Sequence, residues 1–174
     1  MSHPKNPLPA YFFASIIYQK EEKLKEAIDI LSQKEWKISK KTEEMDFHHT
    51  DYYYEEMGKP LKRVFVFFEP PAEREKIVEL KHLSYSIEKQ LSHDGRRSVN
   101  IDPGYLTLEN IVLSTFKNYS HRIYLGKGVF AEITLIYRNG SYESLPWSYP
   151  DYGSHEIIKI FNREREEYKG RMRK

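Results

Sequence analysis

Apolar residues fall along this chain in two kinds of pattern. Residues 10–18 (AYFFASIIY) and 63–68 (RVFVFF) are nearly unbroken apolar runs, which predicts strands buried on both faces. Elsewhere the apolar positions recur at helical spacing. Leu24, Ala27, Ile28 and Leu31 predict a helix over 21–33, with Glu21 and Glu22 in its first turn. Ile77, Leu80, Ser84, Ile87 and Leu91 predict a long helix that opens at Pro70-Pro71 and ends at Asp94-Gly95. Leu108, Ile111, Val112 and Thr115 or Phe116 predict another over 107–116. A last helix follows the N-cap candidate Ser154, with Ile157, Ile158, Ile160 and Phe161 inward.

The stretches between complete the order β-α-β-β-α-β-α-β-β-β-α. Residues 36–47 form an irregular strand, and 98–101 a short one that ends in a turn at Asp102-Pro103-Gly104. Three strands then follow at 122–125, 129–137 and 142–145, joined by tight turns at Gly126-Lys127-Gly128 and Asn139-Gly140. This order predicts a single α+β domain over 1–174, with 1–8 and 170–174 as flexible ends. Its sheet is mainly antiparallel, with a ferredoxin-like βαββαβ start extended by a C-terminal hairpin region and a terminal helix.

Composition narrows the function classes. There are 28 basic and 26 acidic residues, a net charge of +2, so no basic face large enough for duplex nucleic acid is indicated. The absence of cysteine excludes disulfides, thiolate zinc sites and Cys nucleophiles. No apolar h-region and no 18-residue apolar run is present, which predicts a cytoplasmic protein with no membrane partner. Fourteen tyrosines exceed what a core of this size needs, so some are expected on a binding surface.

Four polar-aromatic segments sit at predicted element ends, where rigid scaffolds present functional groups. In the first, His48, Asp51 and Glu55 are spaced three and four residues apart. On a helix they share one face and suit a divalent metal. A Tyr-rich packed connection is the plainer reading. The second, Asn100 to Tyr105, carries Asp102, either a turn former or an acid that orients a ligand or assists catalysis. The third begins at His121, a candidate proton carrier, and Arg122, a candidate bidentate anion holder, with Lys127 at a glycine-flanked tip. The fourth, 147–152, is stiffened by Pro150 and offers Trp147, Tyr149 and Asp151 as a lid over a planar ligand or a clamp for the last helix. Tyr105 and Tyr124 are further ring candidates. No phosphate-binding loop, dinucleotide fingerprint or nucleophile elbow occurs.

Together, Thr50-Asp51-Tyr52-Tyr53, Asn100-Ile101-Asp102-Pro103-Gly104-Tyr105, His121-Arg122-Ile123-Tyr124-Leu125-Gly126 and Tyr149-Pro150-Asp151-Tyr152 resemble the motifs of an uncharacterised prokaryotic family of about this length. Its members are sometimes labelled GTP-binding, a label that the missing Walker loop and base-reading motif leave without physical support here. The resemblance implies that the four segments are family hallmarks. Three readings stand: a binding domain for a small anionic ligand or nucleotide; a metal-assisted hydrolase or phosphoryl-transfer enzyme using His121 and Asp/Glu; and an interaction module with a Tyr-rich surface. Oligomeric state is not legible.

Overall fold

All eight residues of β1 (Tyr11–Tyr18) are buried, because helices cover the sheet on one face and a further helix and a roof of loops cover the other. The computed structural model describes residues 1–33, 35–48 and 50–173. Around β1 lie α1 (Glu21–Ser32), β2 (Lys37–Lys41), β3 (Met45–Phe47), the one-turn α2 (Tyr54–Met57) and β4 (Leu61–Glu69). Next come α3 (Ile77–Gln90), β5 (Val99–Leu106), β6 (Asn110–Thr115), β7 (Ile123–Gly126), β8 (Val129–Arg138), β9 (Ser141–Ser144) and α4 (His155–Met172). The strands form one antiparallel sheet in the order β2-β4-β1-β5-β6-β8-β7, with β3 also on β4 and β9 also on β8. The fold is therefore α+β. No helix among the described residues is long and apolar enough to cross a membrane.

Alternation along β1 and β4 separates two cores. Phe12, Ala14 and Ile16 with Val64 and Val66 meet Leu24, Ala27 and Leu31 of α1 and Leu80 and Ile87 of α3. Phe13, Phe65 and Phe67 meet Phe161 and Tyr168 of α4 on the opposite face. Phe161 is the hub there, with ring centroids 4.8 Å from Phe13 and 5.2 Å from Phe65. Ser154 caps α4 by accepting the Ile157 N–H, and Asn139 and Gly140 take the positive φ of the β8–β9 hairpin turn. α4 runs to Met172, and Arg171 in its last turn pairs with Glu69 at the end of β4.

Several expectations are corrected. Residues 107–116 are not a helix: β6 occupies Asn110–Thr115, and Thr107 closes the turn before it, its hydroxyl accepting the Glu109 and Asn110 N–H groups. Leu108, Ile111, Val112 and Thr115 fit helical spacing, but the β-branched Ile111 and Val112 are stabilised between two neighbouring strands. Asp102-Pro103-Gly104 is not a turn but the middle of β5, paired with β1 along its full length. Residues 36–47 are two strands rather than one, broken near Thr42, whose hydroxyl accepts the Phe65 N–H. The long helix starts at Ile77, after an antiparallel bridge between Ala10 and Ala72 and a 3-10 turn at Arg74–Lys76.

One irregularity positions everything below. β6 pairs with β5 only at Gly104, Tyr105 and Leu106, so among the described residues 99–103 has no strand on that side. Pro103 has no N–H to donate there, and its carbonyl is met instead by the Ser114 hydroxyl at 2.9 Å. The Ile101 N–H goes to the Glu88 carboxyl of α3 at 2.6 Å. Gly104 closes the paired end, where an added Cβ would lie 2.5 Å from the Val112 carbonyl and 2.8 Å from the Phe13 ring.

Candidate functional site

The opening between β5 and β6 leads to a cavity of about 720 Å³ on the α4 face of the sheet, within the roughly 300–1,000 Å³ of small-molecule sites. Its floor is built from strand residues on that face, among them Ser15 of β1, Arg63 of β4, Asn100 and Asp102 of β5, and Glu132 of β8. Lys81, Tyr85 and Glu88, one face of α3 at i, i+4 and i+7, enter through the gap. The roof is Tyr52 and Tyr53 on one side and 149–152 on the other.

The roof is held by named bonds. Ser148 Oγ donates to the Thr134 carbonyl, and Trp147 Nε1 donates to the Ile133 carbonyl at 2.8 Å. Asp151 is buried in an ion pair with Arg63, whose guanidinium lies 4.5 Å from the Phe47 ring and 5.6 Å from that of Tyr152. Burial pushes the Tyr152 and Tyr149 hydroxyls above the usual tyrosine range, so both are neutral donors.

Two further clusters line the wall. Lys81 Nζ lies 3.2 Å from Asp102 Oδ1, Asn100 Nδ2 donates to Asp102 Oδ2 at 2.6 Å, and Arg97 bridges Asn100 (2.8 Å) and Glu56 (2.6 Å). Glu132 accepts from Arg122 Nε at 2.7 Å and lies 3.0 Å from His121 Nε2. Among the described residues, Arg63 Nε and Glu132 Oε1 are buried lining atoms without a hydrogen-bond partner, while the Ser15 and Tyr152 hydroxyls interact with each other. The mouth is aromatic and exposed, with Tyr85 and Phe116 rings 5.5 Å apart and Lys117 Nζ 5.0 Å from the Tyr52 ring.

Three of the four motif segments therefore meet at the cavity and the fourth adjoins it, though not residue for residue as expected. Asp102, Tyr149 and Asp151 line the cavity, as do Thr50, Tyr52 and Tyr53 of the first segment. His121 and Arg122 adjoin it through Glu132, and His121 stacks on Trp147 at 5.3 Å. Arg122 is fully engaged, with its other nitrogens on the Lys117 carbonyl (2.9 Å) and Tyr149 Oη (3.4 Å). Tyr105 packs against Phe12 on the opposite face. Tyr124 lies on β7 against Phe130, and Lys127 lines a separate notch beside Glu73 and Glu79. His48, Asp51 and Glu55 are exposed, and only Glu55 is helical, so the shared helix face expected of them does not form. His49 lies outside the described residues. No cluster of three or more His, Asp or Glu side chains able to hold a metal is present among the described residues.

Arg63, Lys81, Glu88, Arg97 and Glu132 are site residues that the motifs did not mark. Glu132 had a legible signal, since it is a lone charge inside an apolar strand run, whereas Arg63 follows Lys62 at the head of its run and reads as a strand-end charge. Lys81 and Glu88 sit beside the apolar stripe of α3 and read from the sequence as solvated.

Fold and site together define an α+β domain whose sheet parts around a ring-mouthed, internally charged cavity. The chain belongs to the family described as Domain of unknown function (DUF4416), whose model matches residues 8–168. No curated protein and no solved structure matches it.

Proposed function

We propose that this is a small-molecule binding domain whose ligand combines a planar group with an anionic one. The observation that carries the reading is the convergence of three sequence-distant motif segments on one cavity, the fourth joined to it through Glu132, with Arg63 Nε and Glu132 Oε1 in its wall left without partners among the described residues. Leaving such atoms unpaired costs about 1–3 kcal/mol each, a cost that a ligand's polar groups would offset. Tyr52, Tyr85 and Phe116 suit a planar group, while Lys81 and Lys117 are the cations nearest the mouth.

A thermal-shift screen against nucleotides, phosphorylated metabolites and aromatic acids tests this. A binder is expected to lose about tenfold in affinity on Tyr52→Ala or Lys117→Ala, at exposed positions where stability stays within about 0.5 kcal/mol. A screen without hits, or hits indifferent to both variants, sinks the reading.

One observation favours a second reading, an acid–base enzyme of the hydrolase or phosphoryl-transfer class. His121 lies 3.0 Å from Glu132, whose other oxygen has no partner in the cavity wall. If so, Glu132→Gln abolishes turnover of an identified ligand while leaving its binding in place.

A further inference from the structure

Glu88 is 9% exposed and Lys81 8% exposed, so both are functional groups held out of water at the gap between β5 and β6. The two cations beside Glu88 are engaged elsewhere, Lys81 with Asp102 and Arg97 with Glu56 and Asn100. One Glu88 oxygen accepts the Ile101 N–H, and that is the carboxyl's only hydrogen bond among the described residues. A buried carboxyl with one main-chain donor and no ion pair of its own favours its protonated form. In that form its second oxygen carries a hydrogen at the cavity wall, where none of the described residues accepts it.

We infer that Glu88 meets the ligand as a hydrogen-bond donor, and that the group it meets is an oxyanion whose charge Lys81 balances. This rests on the cavity being a ligand site. Glu88 faces Lys81 and Tyr85 on its own helix, Arg97 from the turn before β5, Asp102 from β5, and Lys117 beyond β6, with Glu56 behind Arg97. Burial raises its carboxyl to about 7, helped by the Asp102 charge and opposed by the Ile101 N–H, Lys81 and Arg97. With Glu88 ionised the wall carries four cationic and four acidic side chains. Protonation leaves one net positive charge, so oxyanion binding takes up a proton.

The test uses benzoate and benzenesulfonate, planar probes that stay ionised across the pH range, one with a carboxylate and one with a tetrahedral oxyanion. Calorimetry at about pH 6 and about pH 8.5 is expected to show binding about thirtyfold weaker at the higher pH. Glu88→Gln, which keeps a donor at every pH, removes that slope, and Lys81→Met weakens binding at both. Infrared titration of the ligand-free protein gives a second readout: a protonated-carboxyl band that fades near neutral pH and is missing in Glu88→Gln. Binding with no pH slope, or a slope that survives in Glu88→Gln, overturns this inference and leaves the ligand site standing. Failure of both probes at both pH values overturns the ligand-site reading and this inference with it. The stronger probe tells which oxyanion geometry the site fits.

Discussion

At the scale of single residues, the cavity wall makes folding free energy depend on pH in a way that needs no ligand. The Glu88 carboxyl is raised from an ordinary 4.5 to about 7 in the folded chain. Between those values the folded state holds a proton that the unfolded state has released, so stability falls as pH rises through the window and levels off above it. The full shift is worth on the order of 3 kcal/mol. Glu88→Gln keeps the acceptor for the Ile101 N–H and has no charge to bury. Denaturant titrations are expected to show the variant gaining on the wild type from pH 5 to pH 8 by about that amount. A constant difference would mean that Glu88 is already ionised in the folded protein. Arg63 illustrates the matching cost on the basic side. Removing Asp151 strands a buried guanidinium, so Asp151→Ala is expected to cost about 3–5 kcal/mol, much of it recovered in the double variant with Arg63→Met.

Among the elements, legibility followed the range of the interactions. β1, β4 and the inward stripes of α1, α3 and α4 were readable, because a long apolar run or a repeated spacing is a local signal. The strand β6 was misread since Ile111, Val112 and Thr115 satisfy two periodicities at once, and only its neighbours β5 and β8 choose between them. The Asp-Pro-Gly of β5 has the composition of a turn, yet β1 holds it extended and the side that lacks a donor faces the gap. Gly104 is thus a packing residue rather than a turn residue. Gly104→Val is expected to lower stability by about 1–3 kcal/mol, since Phe13 and the β6 backbone must move. Equilibrium unfolding measures this directly. Motif convergence had no local signal at all, as it depends on strand register and on contacts such as Arg63–Asp151, 88 residues apart.

For the molecule as a whole, stability should be graded outward from β1, the strand buried on both faces and paired on both sides. Hydrogen exchange is expected to be slowest for β1 and β4, at the global unfolding free energy, and fastest in β7. That strand is an edge, and its Ile123, Tyr124 and Leu125 are all exposed. Faster exchange in β1 than in β7 would contradict the described sheet order.

The parted sheet also constrains how such a protein diversifies. The cavity's charged floor belongs to strands whose other residues form both hydrophobic cores, so altering it disturbs folding. Its mouth, at Tyr85, Phe116 and Lys117, is exposed and can be rewritten at small structural cost, whereas Asp151 and Tyr152 of the roof are buried beside Arg63 and cannot. Across a set of sequences sharing this architecture, differences in what is bound should therefore accumulate at that exposed mouth, above a floor that scarcely changes.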